Sequence, residues 1–401
     1  MIPDAAPEAP RVGVWVLALL PVALLGGLLA LLFWNGPADA IRGQDYPPLE
    51  ELVLQRVELG PEGFRATVFN DGPDPVTIAQ IQVDDAYWMF AANPDVTLDH
   101  LDWTTLTVPY PWVQGDTHVL RLVTSTGATF DHEVTVAVET PRADARFFGI
   151  FTLIGLYVGV IPVTVGLLWL PFVARVGRRG LDFVLSLTIG LLLFLLVDAG
   201  HDGFEAASRA PDSYQGVALF LFGALAAFLC LEAVGERLLR SRRNSRATEG
   251  RGWVMALLVA IGIGLHNLGE GLAIGAAFAL GEASLGTTLI VGFTLHNTTE
   301  GLAIVAPLAS ERVQVGQLLR LGMLGGAPTI VGAWVGGLLY SPFWSVMFLA
   351  VGTGAIAQVV LQLGRQAVGE ATLARHVATT PVAAGLLAGV VVMYVTGLVV
   401  G

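Results

Sequence analysis

The sequence predicts an all-α polytopic membrane protein, an eight-helix bundle preceded by one N-terminal helix and a β-sandwich of immunoglobulin-like type. Three observations carry that expectation. The 401 residues are 54% hydrophobic and only 13% charged, a composition too apolar for a soluble enzyme. Eight apolar runs follow one another from residue 147 to the end. Between them and an earlier apolar run lies a stretch, 45–140, that alternates like strands rather than running apolar throughout.

Composition also excludes some functions. A formal charge of −12 argues against a nucleic-acid partner. Every basic residue is arginine, which reads as a bias of genome composition rather than chemistry. Cys230 is the lone cysteine and lies in an apolar run, so neither a disulfide framework nor a cysteine metal site is available.

Residues 1–11 read as a short cytoplasmic tail. Residues 12–34 (VGVWVLALLPVALLGGLLALLFW) are long enough to cross a hydrocarbon core of roughly 30 Å. A cleavable signal peptide is the rival reading, because Ala38 and Ala40 form an A-x-A triplet. The run exceeds an ordinary h-region and only Arg11 marks an n-region, so a retained helix is expected.

In 45–140, short alternating segments such as FRATVFN and VTIAQIQV are separated by the turn signals NDGPDP and STGA. About seven such segments predict the sandwich. Its acidic cluster (Asp71, Asp74, Asp84, Asp85) and its histidines (His100, His118, His132) offer metal-ligand types. No helix or tight spacing gathers them, so a solvated face with scattered histidines is expected.

The eight runs of 147–401 span about 147–172, 181–199, 215–235, 253–280, 285–308, 321–340, 342–363 and 380–400. The loops between them are lopsided in arginine. Arg175, Arg178, Arg179, Arg237, Arg240, Arg242, Arg243, Arg246, Arg251, Arg312, Arg320, Arg365 and Arg375 fall in every second connection, against Arg209 in the others. The positive-inside rule puts the arginine-bearing loops in the cytoplasm, with the β domain and the C-terminus outside. Arg142 and Arg146 dissent mildly. The expected location is the cell membrane, multi-pass, with the N-terminus cytoplasmic.

Two of these runs carry a repeat: LHNLGEGLAI at 265–274 and LHNTTEGLAI at 295–304. Residues i and i+4 share a helix face, so His266 sits beside Glu270 and His296 beside Glu300. Folding the hairpin about residue 283 sets Glu270 level with His296, and His266 level with Glu300. Those levels lie roughly 15 Å and 21 Å below the outer surface, bracketing the bilayer centre. Each buried carboxylate there costs about 2.5–3.5 kcal/mol on insertion scales, a cost that a divalent cation offsets. Two imidazoles and two carboxylates suit four-coordinate Zn²⁺, with Fe²⁺, Mn²⁺, Co²⁺ and Cd²⁺ compatible by ligand type. Asn267 and Asn297 stand about 100° around their helices, either lending carbonyls to a second site that shares the glutamates or bonding the helices together. Glycines 262, 264, 269, 271 and 275 suit close helix packing.

A further polar cluster ends the second run of the bundle: Asp198, His201, Asp202 and Glu205. It reads either as a capped, solvated helix end or as an entrance gathering cations. Gln358 and Gln362 in the seventh run read as packing groups.

At these residues the chain resembles the ZIP (Zrt/Irt-like) family of divalent metal transporters, in particular its prokaryotic branch with HNxPEG in the fourth and fifth helices. The resemblance covers about 147–401 and is specific at HNLGEG and HNTTEG. It implies a transporter rather than an enzyme, carrying a divalent transition metal, Zn²⁺ foremost, inward by rocking or elevator-like alternating access. It implies that His266, Glu270, His296 and Glu300 form the main site and that Asn267 and Asn297 belong to a neighbouring site bridged by the glutamates. It also implies a homodimer; the bilayer is the other partner. Three departures stand out. Gly269 and Thr299 replace the motif proline, Ala327 stands before Pro328 where related proteins often have glutamate, and the 236–252 loop is rich in arginine rather than histidine. The alternatives are an intramembrane zinc hydrolase, a metal sensor or receptor, a haem protein ligated by His266 and His296, and an exporter of another family.

Overall fold

The computed structural model describes residues 11–34, 47–134, 136–243, 251–279, 283–311, 313–338, 341–368 and 379–400. Ala38, Ala40, Arg246, Arg312 and Arg375 lie outside the described residues. The chain divides into two compact units, Met1–Leu49 and Glu50–Gly401. In the first, α1 (Arg11–Trp34) forms one helix that carries Pro21 inside it.

The second unit begins with nine described strands: β1 (Leu52–Gly60), β2 (Gly63–Asn70), β3 (Val76–Val83), β4 (Ala86–Trp88), β5 (Ala91–Asn93), β6 (Thr97–Leu98), β7 (Trp103–Val108), β8 (His118–Thr124) and β9 (Thr129–Val134). They form two antiparallel sheets, ordered β1-β2-β7-β5 and β4-β3-β8-β9, with β6 beside β3. Period-two alternation is plain in β8, where His118, Leu120, Leu122 and Thr124 are buried and the residues between them are not. Both sheets turn such residues into one core, including Phe64, Val68, Ile78, Ile81, Leu106 and Leu122. Turns hold the register. Asp84 and Asp85 both take positive φ (51° and 64°) in the two-residue β3–β4 hairpin, a conformation short acidic side chains tolerate. Gly63 has φ +119°, and a Cβ there would stand 2.1 Å from the Val108 carbonyl.

Helices follow: α2 (Ala145–Val173), α3 (Arg178–Arg209), α4 (Gly216–Arg243), α5 (Arg251–Ala279), α6 (Ala283–Val305), α7 (Val315–Leu338), α8 (Pro342–Val368) and α9 (Thr380–Val400). Seven stretches, corresponding to α2 through α8, are long and apolar enough to cross a bilayer. The eighth expected span is helical too, but its apolar stretch, Thr380–Val395, is shorter.

Two helices are irregular where the sequence suggested continuous runs. In α2 a π-helical turn spans Leu156–Val160. In α7 the helix breaks at Ala327 and restarts at Pro328, which has no N–H to continue the ladder. The repeat-bearing helices α5 and α6 run unbroken through their motifs, with glycine and threonine in place of proline.

Small residues bring α5 against α7. A Cβ on Gly264, Gly271 or Gly275 would meet the carbonyls of Leu324, Thr329 or Ala333 at 2.1–2.3 Å. Gly262 instead faces Val359 of α8, and Gly269 meets nothing nearer than 3.8 Å. The strands sit at the end of the bundle where α3 gives way to α4 and where α7 finishes. The Asp71 carboxylate accepts from the backbone N–H groups of Asp212 and Ser213, and Arg56 Nη1 donates to the Leu338 carbonyl at 3.0 Å. Among the described residues, the helix ends with most of the arginines lie at the other pole, where the Gly252 N–H meets Glu311 at 3.2 Å.

Candidate metal centre

The repeat places its polar residues on the facing sides of α5 and α6, and all six are buried. Glu270 is 4% exposed, Glu300 3%, both histidines 8%, and both asparagines 0%. Helix continuity through the motifs makes the i, i+4 geometry hold. His266 Nε2 lies 3.2 Å from Glu270 Oε1 on the same helix. His296 Nε2 reaches across from α6 to the same oxygen at 2.5 Å, a contact that needs a proton between the two atoms. Two imidazole nitrogens thus converge on one carboxylate oxygen. The ligand atoms of His266, Glu270 and His296 all lie within 4.8 Å of one another, the one such group of three among the described residues.

The expected levels are half realised. His296 meets the glutamate of the opposite helix. His266 turns to its own helix's Glu270 instead, and Glu300 stands outside the group of three. Glu300 Oε2 accepts from Asn267 Nδ2 at 3.1 Å, while its Oε1 is buried with no hydrogen-bond partner.

The asparagines form the interhelical bonds. Asn297 Nδ2 donates to Glu270 Oε2 at 2.9 Å and to the Val158 carbonyl at 3.0 Å. Asn267 Nδ2 donates to Glu300 Oε2 and to the Gly325 carbonyl at 3.0 Å. Each amide faces two acceptors, so its NH₂ must point at them and its carbonyl must point away. The second-site reading, in which the asparagine carbonyls lie beside the glutamates, is therefore not what the side chains adopt. Both outer acceptors come from the helix irregularities. Val158 lies in the π turn of α2, and Gly325 precedes the proline break of α7. Regular helix would spend those carbonyls on its own ladder.

A cavity of about 20 Å³ adjoins the group, lined by His266, Glu270, His296, Asp198, Asp202 and Gly352 among others. That space holds about one water or one bare ion. Asp198 and Asp202, four apart on α3, share this lining and are themselves exposed. The other two residues of that cluster do not join them. His201 is exposed outside the lining, and Glu205 pairs with Arg209 at 2.5 Å. Apolar walls from Phe293, Phe348 and Leu349 had no sequence signal beyond their apolar runs. Gln358 donates to Glu232 at 3.2 Å and to Gln362 at 3.0 Å, and Arg365 pairs with Glu232. Neither glutamine lines the cavity.

The β region spends its acids and histidines singly. Asp84 accepts from Tyr110 (2.7 Å), His118 (2.8 Å) and the Val119 N–H (2.9 Å). Burial alone would raise the Asp84 carboxyl, but those hydrogen bonds outweigh it and hold it below the ordinary carboxylate value. His100 Nδ1 meets the Gly72 carbonyl at 2.8 Å, and Asp85 and Asp131 share Arg121. Burial lowers the His132 imidazole.

Compared with known protein families the chain matches none, and no curated protein matches it.

Proposed function

We propose that this protein is a membrane carrier for divalent transition-metal cations, Zn²⁺ foremost, moving them from outside into the cytoplasm through the His266–Glu270–His296 centre with Glu300 beside it. One observation carries the reading: two buried imidazoles converge on one buried carboxylate oxygen halfway along apolar helices. A proton bridges that contact when no metal is bound, and a metal replaces it at low proton concentration. Asp198 and Asp202 gather the cation at the mouth of the cavity. Asn267 and Asn297 steer the two glutamates and fix their free oxygens. No nucleotide-binding loop appears in the sequence, so the metal gradient or a coupled ion drives the cycle.

The resemblance of HNLGEG and HNTTEG to ZIP motifs supports this reading. With it go the finer proposals: eight membrane-spanning helices in 147–401, an immunoglobulin-like outer domain, a homodimer, and the arginine-bearing pole in the cytoplasm. A second reading has one observation in its favour. His₂Glu with an open fourth position is also the ligand set of zinc hydrolases.

Zinc entry into proteoliposomes holding a metal-sensitive dye separates the two. Saturable entry that Glu270→Ala and Glu300→Ala both abolish, and that falls as external pH falls, is the expected result. Tight zinc binding without entry would move the hydrolase reading, or a sensor, ahead of the carrier. Neither entry nor binding would reduce the repeat to a helix-packing device.

A further inference from the structure

A second cavity, of about 10 Å³, shares Leu195 with the first and is lined by Glu300, Thr299 and Met393 among leucines of α3. Glu300 Oε1, buried and without a hydrogen-bond partner among the described residues, belongs to this lining residue. An unpaired carboxylate oxygen in apolar surroundings is costly unless something supplies it. A water here would be at the lower limit both of space and of partners, with Glu300 Oε1 and Thr299 Oγ1 to bond and apolar side chains around the rest. The remaining two polar groups fit a cation better. Thr299 Oγ1 stands 3.8 Å from Met393 Sδ. The Thr299 hydroxyl also donates to the His296 carbonyl at 2.6 Å, and its single proton can serve only one of the two acceptors at a time. Oxygen and sulfur ligands of one tetrahedral ion, at roughly 2.1 and 2.3 Å from it, stand roughly 3.6 Å apart.

We propose that Glu300 Oε1, Thr299 Oγ1 and Met393 Sδ form a second cation position, next after the histidine centre, that takes thiophilic divalent ions such as Zn²⁺ and Cd²⁺ in preference to Mn²⁺. This rests on the carrier reading and narrows its substrate class. The thioether is the selective element, because hard cations gain little from sulfur.

The test titrates the purified full-length chain with Cd²⁺ and reads the ligand shell by X-ray absorption. The native chain should bind two Cd²⁺, one with a sulfur scatterer. Met393→Leu, which keeps the side-chain volume, should bind one, with nitrogen and oxygen only. Cys230→Ser should match the native chain, and His266→Ala with His296→Ala should keep the sulfur-bearing ion alone. In proteoliposomes, Met393→Leu should lower Cd²⁺ entry about tenfold and leave Mn²⁺ entry unchanged. Cadmium bound without sulfur in the native chain, or a sulfur signal surviving Met393→Leu, overturns the second position and leaves the histidine centre standing. No bound cadmium at all overturns both. Equal loss of Cd²⁺ and Mn²⁺ entry overturns the selectivity.

Discussion

The chain sets a histidine against a carboxylate in two unlike places: His118 with Asp84 in the β region at 2.8 Å, and His296 with Glu270 in the bundle at 2.5 Å. The residue types are the same chemistry, yet the surroundings give them different capacity. Asp84 is saturated, with a tyrosine, a histidine and a backbone N–H on its two oxygens, and its side chain is 38% exposed. The ring of His118 packs edge-on against Phe64 and Tyr110 with its Nε2 buried and unpartnered, and among the described residues no group of three ligand types forms around it. Glu270, by contrast, collects two histidines on one oxygen, and a second acid nearby keeps an oxygen unpaired. Both places leave a buried polar atom unpaired, so it is convergence, not the presence of histidine and acid or of a spare lone pair, that separates the two arrangements.

The largest effect that breaks the comparison is expected at Glu270. Removing the shared oxygen in Glu270→Ala should weaken zinc binding by more than about 100-fold, beyond the loss from any single asparagine, as read by competition with a chromophoric chelator. Asn267→Leu and Asn297→Leu sharpen it. Each should lower affinity about 10- to 100-fold while the helical circular dichroism stays native, because the amides orient glutamates without serving as ligands. A smaller change is expected at the mouth. Asp198→Asn with Asp202→Asn should raise the half-saturating zinc concentration by roughly tenfold at low salt and leave the maximal rate intact. A fall in maximal rate instead would place these acids in the centre itself.

The smallest effect tests the other half of the comparison. Asp84→Asn should leave metal entry unchanged and destabilise the β region by about 1–2 kcal/mol at neutral pH, followed by tryptophan fluorescence during urea unfolding. Because the native Asp84 carboxyl titrates below its unfolded value, its contribution is present above about pH 4 and is lost as pH falls through the lowered value. The variant should therefore lack that acid-dependent step. Loss of metal entry in Asp84→Asn would mean the β region takes part in transport.

Much of the centre was legible because helix periodicity is rigid: a repeated HxxxE on neighbouring helices fixes which faces meet. The level of Glu270 with His296 followed from counting alone. The nearness of His266 to Glu270 followed from the i, i+4 spacing, but that Glu300 stays outside the group did not, because a side chain chooses between partners by a rotamer that spacing leaves open. The asparagine orientations were hidden for a different reason. They depend on the Val158 and Gly325 carbonyls, which become available through a π turn and a proline break on two other helices. Pro328 was visible, but its effect on Asn267 exists only once α7 packs on α5. Among the strands, alternation marked the long ones, whereas β4, β5 and β6 have three, three and two residues, too short for a period to register.

The π turn at Leu156–Val160 has a consequence for chain length itself. Each residue advances a helix by about 100°, so one additional residue rotates everything beyond it by that angle. Before and within the turn, α2 lies against α7, with Gly155 against Ile330 and Gly159 against Gly326. After it, Gly166 lies against Thr298 and Gly301 of α6. α7 still meets α2 beyond the turn, at Val163, Thr164 and Leu167, and α6 already reaches it within the turn through Asn297 and the Val158 carbonyl, so the extra residue sets which side chains of one rod face each neighbour. Removing any single residue from 156–160 should undo this phase shift and swing one half of α2 out of its groove. Such a deletion, though it takes away no ligand, should harm the protein more than most substitutions at the centre, because it misaims the whole wall behind Asn297 at once.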